Sequence, residues 1–211
     1  MSFDASQIDK IHEYLINRFG IEKGYKDRDS LKSICVGMER QYNNKEIYPT
    51  IFEKSAYLFE GIIRLHPFID GNKRTALASI EEYLLENNHL FIKPLSSVRF
   101  TIKVARITNL ENDSIQTLIN NIVKWIRFRT VHITETRKAI QIIEVDIDML
   151  EKLRKISIQR NKPELVQTIL EYWIGSDIYP DSINQLKDIL SYYKERLSEI
   201  KSFMKLNSKR K

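Results

Sequence analysis

Nine consecutive residues concentrate the groups able to do chemistry: His66-Pro67-Phe68-Ile69-Asp70-Gly71-Asn72-Lys73-Arg74. His66 is the one group among them whose unperturbed pKa suits proton abstraction near neutral pH. Asp70 offers a hard oxygen ligand of the kind Mg²⁺ takes alongside substrate phosphates. Gly71 and Asn72 stand where a helix is expected to begin, so free backbone N–H groups and the positive end of a helix dipole make a ready anion site. Lys73 and Arg74 add two positive charges, and Arg74 can hold phosphate oxygens in a bidentate fork. A base, a metal ligand and a phosphate site within so short a span read as phosphoryl or nucleotidyl transfer. In that chemistry, positioning and charge neutralisation supply most of the rate. Each residue also has a bland reading: a histidine closing a helix, an Asp-Gly-Asn turn, a solvated Lys-Arg pair. Their order and spacing together favour the chemical one.

Two helices are expected to hold this stretch. Upstream, Ile51, Ala56, Phe59, Ile62 and Ile63 recur at helical spacing after Thr50-x-x-Glu53, which has the form of a capping box. Downstream, Ala76, Leu77, Ile80, Tyr83 and Leu84 mark the buried face of a second helix. Pro67 and Gly71 break the continuity between them.

The stretch resembles the signature of the Fic/Doc family, whose Fic pattern is H-P-F-x-[DE]-G-N-G-R-x-x-R. His66, Pro67, Phe68, Asp70, Gly71, Asn72 and Arg74 match it, and Arg64 matches an arginine upstream of the Doc histidine. Lys73 stands where Fic adenylyltransferases carry Gly, and Leu77 where they carry a second Arg; both departures point to the Doc branch, the toxins of toxin–antitoxin pairs. Gly71 departs the other way, since Doc has Ala there. The resemblance extends over about the first 130 residues. It implies an all-α Fic/Doc-like bundle with a short flap segment, ATP as substrate and Mg²⁺ as its partner ion. It gives His66 the role of base toward a hydroxyl of a target protein, Asp70 that of metal ligand, and Gly71, Asn72, Lys73 and Arg74 that of phosphate grip. In Fic enzymes AMP or another nucleotidyl group is transferred. In Doc the lysine narrows the anion site, the nucleotide lies reversed, and the γ-phosphate goes to a threonine of elongation factor Tu. Lys73 favours phosphotransfer, with nucleotidyl transfer as the alternative. A non-catalytic Fic-fold module would be expected to show decay of the motif, whereas His66, Asp70, Asn72 and Arg74 are intact.

Composition sets the frame around the motif. With 42% hydrophobic residues and only 6 Gly and 5 Pro, the chain has material for a real core and is not expected to be disordered. No apolar run approaches a membrane span, and Met1-Ser2-Phe3-Asp4 does not begin a signal peptide, so a cytoplasmic protein is expected. Cys35 is the sole cysteine, which excludes an internal disulfide and a Cys-based zinc cluster. His12, His66, His89 and His132 show no metal-ligand spacing. The net charge of +6 is dispersed, and no aromatic-basic platform indicates nucleic acid.

In chain order, residues 6–19 read as a helix stopped by Gly20, and 24–29 as a polar loop. A second helix follows with Leu31, Ile34, Cys35 and Met38 inward, which makes Cys35 a core residue rather than a nucleophile. The segment 42–50 matches the family's flap by position, with a plain interhelical loop as its alternative; as a flap it aligns a target peptide by strand addition. His89 to Ile92 reads as an extended connector. Helices resume at 97–106 and from Ser114, with Trp125 filling the core.

Residues 1–130 are therefore expected to form the catalytic core, 131–145 a linker or connecting helix, and 146–211 a helical extension that Doc lacks. Ile183, Leu186, Leu190, Tyr193, Leu197, Ile200 and Met204 alternate spacings of three and four, a packing seam. Packing within the chain is the favoured use of that seam, and a second chain the other. Ser191 to Glu195 resembles the family's inhibitory pattern [ST]-x-x-x-E-[GN] but has Arg196 in its last position, so a separate antitoxin is the expected control.

Overall fold

The computed structural model describes residues 3–92, 97–107 and 112–135. Beyond them it describes helical pieces at 140–141, 143–144, 147–152, 155, 190–191, 194–195, 197–198 and 201–202. Its elements are α1 (Ala5–Phe19), α2 (Arg28–Met38), β1 (Gln41–Tyr42), β2 (Lys45–Glu46), α3 (Ile51–Leu65), α4 (Asn72–Glu86), β3 (His89–Phe91), α5 (Ser97–Ala105), α6 (Asn112–Phe128) and β4 (Thr130–His132), then a 3-10 turn at Ile133–Glu135. The fold is all-α with minor strands. Among the described residues, no helix is long and apolar enough to cross a membrane.

The chain divides into two compact units, one of Met1–Phe91 with Phe100–Thr130 and the other of Ile92–Arg99 with Val131–Lys211. The first unit is built around α3, which packs against α2, α4 and α6, while α1 lies on α4. Leu58, Phe59, Ile62 and Ile63 are all fully buried, so α3 is apolar around most of its girth, as a central helix must be. Gly61 lets α2 approach closely: a Cβ there would already touch Ile34. Phe59, Phe100 and Trp125 form an aromatic stack, with 4.2 Å between the Phe100 and Trp125 centroids, and Trp125, expected to fill the core, packs against it partly buried. Cys35 packs against the core, and burial pushes its thiol up to about 12, which leaves it protonated and unreactive.

The helix boundaries follow from local chemistry. Asp4 and Gln7 form a capping box at the start of α1, and Gly20 ends that helix in the left-handed region at φ 63°. Thr50 and Glu53 form the capping box expected at α3. Asp27 caps α2 by accepting the Asp29 and Ser30 N–H groups. Between α2 and α3, β1 and β2 pair antiparallel, Gln41 opposite Glu46 and Tyr42 opposite Lys45. Asn43 and Asn44 turn the hairpin at φ 50° and 59°, positive values that asparagine accepts more readily than most residues. The segment is thus an exposed hairpin and not a plain loop. Lys54 of α3 holds its base, reaching Glu39 at 2.7 Å and Glu46 at 3.5 Å.

In the second unit, Ile143, Leu150 and Leu190 are buried. Lys201 reaches Glu144 at 3.1 Å and Lys194 reaches Glu151 at 2.9 Å. Both pairs share one antiparallel register with a heptad step on each side. The seam positions Ile183, Leu186, Tyr193, Ile200 and Met204 lie outside the described residues.

Candidate active site

His66 is the residue on which α3 ends. It caps the helix in the left-handed region, φ 49° and ψ 55°, and turns the chain sharply into the motif loop. One turn earlier, Arg64 pairs with Glu60, a carboxylate only 1% exposed, which ties down the last turn of α3. The His66 imidazole is half-buried. Burial lowers its pKa first, and the nearby charges of Lys26 and Lys73 lower it further. A neutral imidazole at neutral pH is the form that can accept a proton.

The loop is fixed from three sides. Phe68 is fully buried, and the Asn72 side chain clamps its backbone at both ends: Phe68 N–H donates to Asn72 Oδ1 at 2.9 Å, and Asn72 Nδ2 donates to Phe68 O at 2.8 Å. The segment between α1 and α2, read from sequence as a polar loop, is a strap laid along the motif. Lys26 and Asp27 N–H donate to Pro67 O at 2.8 and 3.1 Å, Ile69 N–H donates to Gly24 O at 3.0 Å, and Tyr25 bridges Phe68 antiparallel. Tyr25 also lies over the Phe68 ring at 5.4 Å, with its hydroxyl donating to Asp9 of α1 at 2.7 Å. On the third side, His12 of α1 stacks on Phe68.

Gly71 opens α4 at φ 74°, a conformation that strains any residue with a Cβ, and a Cβ there would press into Ile21. No side chain caps this helix start. Gly71 donates its own N–H to Asp70 Oδ1 at 2.6 Å, and the N–H groups of Asn72, Lys73 and Arg74 are those of the first turn, where a helix supplies no backbone acceptor. The Asn72 side chain is engaged in the loop clamp, which leaves its backbone N–H as the group able to meet an anion. The side chains of Lys73 and Arg74 are exposed at the same helix start, and the Arg74 guanidinium rests 5.4 Å from the Phe19 ring centroid. Asp70 is exposed with Oδ2 left for a ligand. Among the described residues, no group of three or more metal-ligating side chains occurs. The exposed Asp70 carboxylate is a hard oxygen donor that could serve a divalent cation whose other positions are filled by water and phosphate oxygens.

All six candidate residues, His66 and Asp70 to Arg74, come together around the α3–α4 turn. Sequence reasoning missed the strap at Gly24–Asp27, the charge of Lys26 beside His66, and His12. The Asp27 cap was a readable signal for the end of the strap; no local signal marked His12.

Residues 2–84 match the model of the Fic/DOC family, a span that takes in α1 to α3, the hairpin, the motif loop and nearly all of α4. Among curated proteins none matches the chain. The family modifies proteins by transfer from a nucleoside triphosphate with the help of a metal ion. Residues 2–84, which contain the whole of this site, are a Fic/DOC-family region.

Proposed function

We propose that this chain is an ATP-dependent transferase that moves the γ-phosphoryl group to a hydroxyl side chain of a target protein. The observation that carries the reading is the placement of one proton acceptor against one anion site. His66, held neutral by burial and two lysines, ends α3, and the uncapped start of α4 follows six residues later with Lys73 and Arg74 on it.

In this reading the target hydroxyl gives its proton to His66 as its oxygen attacks the γ-phosphorus. The bond from the γ-phosphorus to the bridging oxygen breaks, and ADP leaves. The N–H groups of Asn72, Lys73 and Arg74, with the two cationic side chains, take up the charge on the phosphate oxygens. Asp70 would hold Mg²⁺, which supplies further neutralisation of those oxygens. The exposed hairpin Gln41–Glu46 aligns the target chain by strand addition.

Lys73 favours phosphoryl over nucleotidyl transfer, because a long cationic side chain occupies the start of α4 where Gly would leave room. Gly71 does not argue for the opposite branch. Ile21 and the left-handed backbone require glycine there whichever way a nucleotide lies. The resemblance to Doc makes a translation factor such as elongation factor Tu the first target to try and a separate antitoxin the expected control. Mass spectrometry of a cytosolic extract incubated with the protein and ATP tests the proposal. One phosphate of added mass on a target protein supports it, and an added AMP overturns the choice of group.

A further inference from the structure

His12 lies in the middle of α1, far from the motif in sequence, yet three parts of the site rest on its ring. Its imidazole stacks on Phe68 with centroids 3.8 Å apart and 17° between planes. Its Nδ1 lies 2.9 Å from the hydroxyl of Thr75, a fully buried residue in the first turn of α4 whose N–H donates to Gly71 O at 2.9 Å. Its Cε1 comes within 3.4 Å of the space a Cβ on Gly71 would fill. His12 is 4% exposed, and its Nε2 is buried with no hydrogen-bond partner. A buried nitrogen without a partner costs stability, and a phenylalanine would fill the same space without that cost. The imidazole is thus a poor choice for packing alone.

We infer that His12 is a positioning residue. Through Phe68 and Thr75 it sets the angle at which the motif loop enters α4, and so the direction of the N–H groups of Asn72, Lys73 and Arg74. This rests on the phosphate-binding reading of that helix start. The hydrogen bond to Thr75 carries the function, and the stack on Phe68 carries stability; the two contributions are separable by substitution. The polar and charged groups facing the ring are Asp9 on its own helix, Asp70 on the loop and the Thr75 hydroxyl on α4.

Four full-length proteins test the inference: wild type, His12→Phe, His12→Asn and Thr75→Val. His12→Phe keeps the stack and removes both the bond to Thr75 and the orphaned nitrogen. His12→Asn keeps a donor or acceptor at the Nδ1 position and loses the stack. Thr75→Val removes only the hydroxyl. Three quantities are measured: Tm, hydrogen exchange of the Phe68 and Thr75 amides, and kcat and KM for ATP-dependent transfer. His12→Phe trades the orphaned Nε2 for an unpaired Thr75 hydroxyl, so it is expected to melt near the wild-type temperature, to exchange both amides faster, and to lose about 10²-fold in kcat, the size of effect that a small misplacement of positioned groups produces. His12→Asn is expected to melt lower yet to exchange those amides and turn over closer to wild type. Thr75→Val should follow His12→Phe in exchange and kcat. If exchange and kcat instead follow Tm across the set, or if Thr75→Val leaves both unchanged, the inference is wrong. Should wild type transfer nothing from ATP, the proposed function fails, and the exchange and melting data alone still decide the role of His12.

Discussion

His66 occupies a left-handed backbone conformation that asparagine accepts more readily than alanine does, which makes His66→Asn the cleaner deletion of the proposed base. That variant should keep its Tm within a few degrees and lose about 10²–10⁴-fold in rate, the usual contribution of a general base. A variant that still transfers at the wild-type rate would remove His66 from the reaction. The pH profile carries the same claim. Because burial, Lys26 and Lys73 lower the His66 pKa, the acid limb of kcat/KM should fall at a pH below the ordinary histidine value of 6.5. Lys73→Met should move that limb upward; an unmoved limb would mean another group is titrating. Gly71 makes a separate, structural prediction. Gly71→Ala should destabilise by about 1–2 kcal/mol from left-handed strain, with a further loss as the new Cβ displaces Ile21. Ile21→Val, which shortens the obstructing side chain, should recover that further loss and leave the strain. Denaturant midpoints of the two single variants and the double variant measure the coupling, and strict additivity would contradict the packing account.

At the scale of elements, the proposed site is a junction: α3 ends on the proposed base, α4 starts at the proposed anion site, and the strap Gly24–Asp27 is hydrogen-bonded to the turn between them. Two helix caps separate stability from function. Thr50→Ala and Asp27→Ala each remove an N-cap worth about 1 kcal/mol. Thr50 starts α3 at the end away from His66, so its loss should lower Tm and leave kcat alone. Asp27 caps α2 with its carboxylate, and its backbone N–H, which alanine keeps, donates to Pro67 O; losing the cap should lower Tm by a similar amount and, by loosening that backbone, reduce kcat as well. Equal kcat values in the two variants would show that the strap does not tune the loop.

The same elements show what the sequence made legible. The Thr50/Glu53 box, the Gly20 stop and the apolar spacing of α3 and α4 are local signals, and each appears where it was read. The six motif residues could be singled out because their chemistry is packed into one short segment. The strap was not found, because its pairing with Pro67 and Ile69 joins residues about forty apart and leaves no period in either segment. His12 escaped for the same reason: its partners are Phe68 and Thr75, and an isolated histidine on an amphipathic helix reads as surface or core filler. The use of the Asn72 side chain within the loop was equally hidden, since an asparagine beside glycine at a helix start is a common turn residue in any setting.

For the molecule as a whole, two buried or half-buried histidines with lowered pKa values make a prediction about folding. His12 is lowered by burial, against the opposing pull of Asp9 and Asp70, and His66 by burial and two lysines. The unfolded chain therefore takes up protons on both at a higher pH than the folded one does. Stability should be level above the ordinary value of 6.5 and fall as pH drops below it toward the folded pKa values. Melting temperatures recorded across that range should show the decline, and His12→Phe should make it shallower; an unchanged slope would show that His12 is not buried neutral.

The central claim, that a neutral His66 receives a proton while Lys73 and the α4 start hold a nucleotide with its γ-phosphate exposed, is tested most directly with two preparations of ATP. One carries its label on the α-phosphate and the other on the γ-phosphate, and each is incubated with the full chain and a cytosolic extract, with His66→Asn as control. The account predicts label on a target protein from the γ-position only, and none with the variant. Label from the α-position would contradict the choice of group, and equal labelling by His66→Asn would contradict the account of the site itself.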